Sequence, residues 1–222
     1  MVEAARTADL LLGVDLSYRF TTGMAAIRQA IAVGELGQPF AADLTFHNAY
    51  GPGKEWFYDP RQSGGGCVID LGVHLVDLAL WALGWPAVRH VESQLLSGGV
   101  PLADPATTCE DFALATLTLD SGALVRLACS WKLPAGQMCE IAADFYGTEG
   151  GALWRNLDGS YHEFETLRTA GTDRWELAAK DAEWGGRAAA DWARRLALGE
   201  GFDPEADRLV DVAKVLDRIY QR

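Results

Sequence analysis

Apolar and polar positions alternate or cluster along this chain in a way that separates short strands from a few amphipathic helices. Val2–Ala8 reads as a fragment of helix. Leu10–Val14 is a short, wholly apolar run of the kind that fills a parallel strand buried on both faces. Met24–Val33 has helical spacing and stops at Gly34, where a left-handed cap belongs. Pro39–Tyr50 is strand-like until Gly51-Pro52-Gly53 breaks it. Gly64-Gly65-Gly66 opens a second helix that runs to about Leu83 and ends at Gly84 and Pro86.

Beyond it the pattern turns to strands: Val88–Leu96, then Phe112–Leu119 and Ala123–Trp131 around the hairpin signal Asp120-Ser121-Gly122. Gln137–Tyr146, Gly151–Asn156 and Tyr161–Leu167 add three more, and the amphipathic segments Arg187–Leu198 and Pro204–Tyr220 close the chain. Strands joined by hairpins predict an α+β fold with a mostly antiparallel, open-faced β-sheet and helices packed on one face. Leu117 and Leu119 alternate with Thr116 and Thr118, so the two sheet faces differ in polarity. An open face of that kind predicts a homodimer formed through it.

Composition narrows the choice. The chain has 222 residues, 49% hydrophobic and 23% charged, enough for a substantial core and unlike a disordered segment. A formal net charge of −12 without any basic run repels phosphate backbones and anionic lipid, so neither nucleic acid nor membrane is expected as a partner. No apolar stretch reaches the ~18–20 residues that span a bilayer, and nothing near Met1 resembles a signal peptide. Cys67, Cys109, Cys129 and Cys139 form no CxxC pair and read as reduced core thiols of a cytoplasmic protein.

Chemistry is concentrated in residues 63–84, SGGGCVIDLGVHLVDLALWALG. Apolar groups cover most of this helix, and Asp70, His74 and Asp77 interrupt them at spacings of four and three, which places them on one stripe. Asp70 and His74, one turn apart, can act on the same small molecule. A neutral imidazole accepts a hydroxyl proton while the carboxylate orients it or stabilises its charged form. The same spacing also serves a solvated Asp–His pair or two metal ligands. A metal needs further ligands, and His47, His90 and His162 offer no ligand spacing.

The segment WFYDPRQSGGGCVIDLGVHLVDLALWALG, residues 56–84, resembles the signature of the Gfo/Idh/MocA oxidoreductases, the family of glucose–fructose oxidoreductase and inositol dehydrogenase. VDLSYRF (14–20), IRQAIAVGELGQPFAADLTF (27–46), EDFALATLTLDSGALVRLACSW (110–131) and DFYGTEGGALW (144–154) are similar to further family segments in the right order. The resemblance implies the substrate-binding α/β domain of a two-domain enzyme whose N-terminal Rossmann domain binds NAD or NADP. It implies that His74 exchanges a proton with a sugar or polyol hydroxyl, and that Asp70 binds the substrate or orients the catalytic groups. It places Tyr18 and Arg19 near cofactor and substrate, and makes Trp56, Tyr58 and Arg61 candidate substrate-binding residues.

The chain also departs from the family. It contains no GxGxxG between a strand and a helix, and no E-K-P segment of the kind that brings the family's lysine to the site. The expectation is therefore that the N-terminal Rossmann domain is absent. Residues 1–16 would be the remnant of its last helix and strand, and residues 17–222 the C-terminal substrate-binding and oligomerisation domain; without its parent sheet, Leu10–Val14 would be disordered, displaced or paired with another chain. On this reading no cofactor is bound by the chain alone, and hydride transfer needs a dinucleotide site, such as that of a separate Rossmann-domain chain. Two alternatives remain: a naturally short binding or oligomerising subunit, and a cofactor-free lyase, isomerase or hydrolase using the same pocket.

Overall fold

The computed structural model describes residues 1–222. The helices are α1 Val2–Thr7, α2 Thr22–Ala32, the single turn α3 Pro60–Ser63, α4 Val73–Ala82, α5 Arg187–Ala197 and α6 Arg208–Ile219. The strands are β1 Pro39–Asn48, β2 Val88–Ser97, β3 Val100–Pro101, β4 Phe112–Leu119, β5 Leu124–Ser130, β6 Cys139–Gly147, β7 Gly150–Asn156, β8 Phe164–Ala170 and β9 Asp173–Ala178. All nine strands join one sheet in the order β3-β2-β4-β5-β1-β6-β7-β8-β9.

Every neighbouring pair is antiparallel except β1 and β5. That exception follows from the chain path. β1 leaves the sheet through the signature helix, and β5 returns beside it only after the β2 and β4 strands have been laid down. The register aligns Ala115, Leu127, Leu44, Ala143, Trp154 and Thr166 across six strands. These side chains are all buried on the helix-covered face. The opposite face carries Asp43 paired with Arg126 at 2.9 Å and Asp144 paired with Arg155 at 2.6 Å. Polar and apolar positions thus alternate with the pleat, as a one-sided sheet requires.

Close contact between layers depends on Gly23 in α2. A Cβ there would lie 2.0 Å from the Thr166 hydroxyl oxygen and 2.8 Å from the Trp154 ring, so only glycine lets this helix rest flush on the sheet. The first turn of α2 is capped by the Thr21 hydroxyl, which accepts from the Met24 amide at 3.2 Å.

Several segments can now be compared with the sequence pattern. Leu10–Val14 forms no strand; Leu10 and Val14 are exposed, and the preceding Asp9 carboxylate accepts from the Phe202 amide at 3.0 Å. The two-residue β3 and the edge strand β9 carry no clear period and were not foreseen. The stretch Pro60–Ala82 is long and apolar enough by composition to cross a membrane. Here 78% of its most apolar part is buried within the fold. The four cysteines are buried and unpaired, matching the reading of core thiols.

Candidate functional site

The signature helix does not start as an ordinary α-helix. Val68–Gly72 is a π turn that runs directly into α4. Such turns insert a residue into the helical repeat and are frequent at functional sites. The strictly α-helical stripe expected from spacing is accordingly broken. Asp70 and His74 are half-buried, whereas Asp77 is only 1% exposed.

What holds the start of this helix is a buried carboxylate. Glu110, immediately before β4, is 0% exposed. It accepts from the Gly66 amide at 3.0 and 3.1 Å, from the Val68 amide at 2.9 Å and from the Tyr220 hydroxyl at 2.7 Å. The Glu110 carbonyl accepts from the Cys67 amide at 3.1 Å. Glu110 thereby satisfies amides that a helix start leaves free and places negative charge where the helix dipole favours it. Gly66 is obligatory in this contact, because a Cβ would come within 2.0 Å of the Glu110 carbonyl oxygen. Burial and the neighbouring carboxylate keep the Tyr220 phenol protonated by raising its pKa.

One turn further on, the Trp131 indole donates to Oδ2 of Asp70 at 2.9 Å. Trp131 follows β5 directly and is buried, so it fixes the carboxylate from the sheet side. His74 lies against the edge of Tyr18, with ring centroids 5.3 Å apart at 80°, and near Phe46 at 6.3 Å. Burial pushes the His74 pKa below the ordinary imidazole value, while the charges of Asp70 and Asp15 pull it upward. The ring makes no hydrogen bond to the chain, so a neutral imidazole is left with nitrogens available to a ligand.

Among the other residues singled out from sequence, Tyr18 is buried and packs edge-on against Phe46, Trp154 and Phe164 as well as His74. Burial raises its pKa, so its hydroxyl stays protonated. Arg19 forms a two-pronged ion pair with Asp77, including Nε to Oδ2 at 2.6 Å, and its guanidinium lies over the Trp85 ring. Trp56 and Tyr58 are 43% and 40% exposed on a 3-10 turn, Glu55–Tyr58. Tyr58 meets Trp131 edge-on at 5.5 Å. Arg61 is exposed and reaches back to Asp59 at 3.2 Å. The structure therefore brings Tyr18, Asp70 and His74 together and joins Tyr58 to them through Trp131. It places Arg19 with Asp77 and Arg61 on the surface.

Glu110, Trp131 and Asp15 were not recognised from sequence. The EDFALA run contains Glu110, but nothing local shows that a Glu before a strand is buried against a helix start. A groove of about 320 Å³ lies between residues 12–20, α5 and residues 203–209, and none of Tyr18, Asp70, His74 and Trp131 lines it. Asp15 and Arg19 line it. No three His, Cys, Asp or Glu side chains converge in metal-binding geometry.

The glycine run at residues 64–66 does not form a phosphate-cradling loop. The one glycine run before a helix has its Gly66 and Val68 amides already bound to the Glu110 carboxylate, which would repel a pyrophosphate. An imidazole with free nitrogens one turn from a fixed carboxylate is chemically able to exchange a proton with a bound molecule.

An open, mostly antiparallel sheet with helices on one face, presenting Asp70 and His74 from the start of a buried helix, defines the class of α+β domain to which this chain belongs. Residues 24–153 match the model of the GFO/IDH/MocA C-terminal domain, and the chain belongs to that family. It is 29% identical over 162 residues to D-glucoside 3-dehydrogenase of Escherichia coli (strain K12), covering 68% of this chain and 46% of that protein. It is 28% identical over 159 residues to 1,5-anhydro-D-fructose reductase of Ensifer adhaerens, covering 71% and 45%. The chain thus spans about half the length of these relatives.

Among solved structures, GenD2 from gentamicin A biosynthesis in complex with NAD superposes with a TM-score of 0.76 at 24% identity, covering 99% of this chain and 64% of that one. Aldose–aldose oxidoreductase from Caulobacter crescentus complexed with glycerol gives 0.78 at 18% identity, with the same coverage. At these identities the likeness concerns the fold.

Proposed function

We propose that residues 17–222 are the substrate side of an NAD(P)-dependent oxidoreductase acting on a sugar, polyol or related hydroxylated compound. The observation that carries this reading is the pairing of a desolvated, unbonded imidazole with a fixed carboxylate one helical turn away. His74, neutral near pH 7, takes the proton of a bound hydroxyl as its carbon is oxidised, and returns it in the reverse direction. Asp70, held by Trp131, orients the substrate and stabilises the imidazolium that forms. Tyr18 fixes the imidazole plane. The sugar-acting relatives support the substrate class.

A nicotinamide supplies hydride acceptance in this family, and residues 1–222 offer no cradle for its pyrophosphate. The 222-residue polypeptide is accordingly inert in hydride transfer by itself. We also read the open sheet face, where Leu114 and Leu124 are exposed beside the Asp43–Arg126 pair, as the surface that joins two copies.

The test is to incubate the chain with NAD or NADP and a series of glycosides and polyols, then to repeat the assay with the chain fused behind a family dinucleotide-binding domain. No reduced cofactor is expected from the chain alone. The fusion is expected to turn over, and His74→Ala in it to slow turnover by about 10²-fold or more. Turnover by the chain alone, or a fully active His74→Ala fusion, would overturn the reading.

A further inference from the structure

Tyr18 lies against His74, and the side chains that hold Tyr18 come from two kinds of structure. Phe46 of β1, Trp154 of β7 and Phe164 of β8 reach its ring from the sheet, at centroid distances of 6.0, 5.5 and 6.2 Å. Strand register sets their places. Trp184 instead comes from the irregular segment between β9 and α5. It is 7% exposed, and its ring lies 5.4 Å from that of Tyr18 at 38°.

The residues around Trp184 tie this segment to the stretch that carries Tyr18. The Trp184 indole donates to the His162 carbonyl at 2.9 Å. Asp181 accepts from the Thr22 amide at 2.7 Å and from the Thr22 hydroxyl at 2.5 Å, at the first turn of α2. Arg187 pairs with Asp181 at 2.8 Å and donates to the carbonyls of Phe20 at 2.9 Å and Glu183 at 2.6 Å. Residues 181–187 thus grip residues 20–22, at the end of the 3-10 turn Ser17–Phe20. That turn meets the signature helix at two points three residues apart, Tyr18 on His74 and Arg19 on Asp77. A network whose polar members are satisfied rigidifies the segments it joins.

We propose that residues 181–187 are a positioning strap for His74: Trp184 backs the Tyr18 ring, and Asp181 and Arg187 hold the turn that carries it, so the imidazole stays enclosed in one orientation. This rests on the reading of His74 as the proton-exchanging group and adds the residues that govern its surroundings. The charges acting on the ring, Asp70 from its own helix and Asp15 from the segment before the 3-10 turn, lie outside the strap. Loosening the strap therefore changes the enclosure of the imidazole and not its charged neighbours.

NMR titration of the His74 ring in the 222-residue chain tests this. With the strap loosened the ring gains water, so Trp184→Ala should raise the His74 midpoint toward the ordinary imidazole value, by about half a pH unit. Trp184→Phe keeps a ring against Tyr18 and should restore the wild-type midpoint. Leu119→Ala opens a cavity beside Ala82 and Leu83, at the other end of α4, and should lower stability without moving the midpoint. If Trp184→Ala does not fold, Arg187→Ala, at a 40% exposed side chain, carries the test with a rise of the same sign. An unmoved midpoint in the Ala variant that folds, or an equal rise in Trp184→Phe or Leu119→Ala, would overturn the strap. Methyl β-D-glucopyranoside, added to the same samples, tests His74 as the proton-exchanging group separately. If it leaves the His74 signals unmoved while Trp184→Ala shifts the midpoint, that reading falls and the strap stands.

Discussion

The Trp131 indole nitrogen lies 2.9 Å from Oδ2 of Asp70, a hydrogen bond between the end of β5 and the π turn of the signature helix. It couples the sheet to the helix at the residue one turn from His74. A hydrogen bond to a charged acceptor contributes about 1.5–3 kcal/mol. A double-mutant cycle of Trp131→Phe and Asp70→Asn, followed by urea unfolding, should return a coupling energy in that range. Strict additivity of the two changes would show that the bond does not hold the carboxylate in solution.

His74 titrates below the ordinary imidazole value because burial disfavours its charged form. Asp70 opposes that shift, so Asp70→Asn should lower the pKa further, as read by NMR of the ring protons. The sign for stability follows from proton uptake. With the folded pKa depressed, the unfolded chain binds more protons in the window between the two values. Stability attributable to His74 is full above the ordinary imidazole pKa and declines as pH falls through that window. Replacing His74 with Gln should flatten this part of the stability–pH curve.

Asp77 is 1% exposed and neutralised by Arg19, which itself retains 19% side-chain exposure. Burial raises the Asp77 pKa, and the guanidinium counteracts the rise. Removing the cation leaves a buried carboxylate uncompensated, so Arg19→Ala should cost about 3–5 kcal/mol in denaturant unfolding. Arg19→Ala combined with Asp77→Asn should recover part of that loss. An Arg19→Ala chain as stable as the wild type would show that Arg19 is free for a ligand.

The Glu110 clamp makes the sharpest structural prediction. Glu110→Ala strands the Gly66 and Val68 amides and the Tyr220 hydroxyl, each buried polar group costing about 1–3 kcal/mol. Glu110→Gln retains acceptor oxygen and should be markedly milder. Gly66→Ala forces a methyl into the Glu110 carbonyl and should destabilise by about 1–3 kcal/mol or more. Thermal and urea unfolding of the three variants give the order directly.

The contrast between these residues explains what could be read in advance. Asp70 and His74 were visible because the i,i+4 spacing of two polar residues in an apolar helix is a local pattern. The strands were visible because a one-sided sheet imposes period two, as in β4, where Ala113, Ala115, Leu117 and Leu119 are buried in alternation. Glu110 and Trp131 act through long-range contacts, forty-four residues from Gly66 and sixty-one from Asp70, and no local period encodes a partner that distant. Leu10–Val14 forms no strand for the complementary reason: an apolar run becomes a strand only where a neighbouring strand accepts its backbone hydrogen bonds.

The central claim is that His74 and Asp70 receive the hydroxylated substrate, and the most direct test is to titrate the chain with methyl β-D-glucopyranoside while following the His74 ring by NMR. The account predicts saturable shifts of the His74 ring signals, and their loss in Asp70→Asn. Shifts confined to other histidines, or identical His74 shifts in Asp70→Asn, would contradict it.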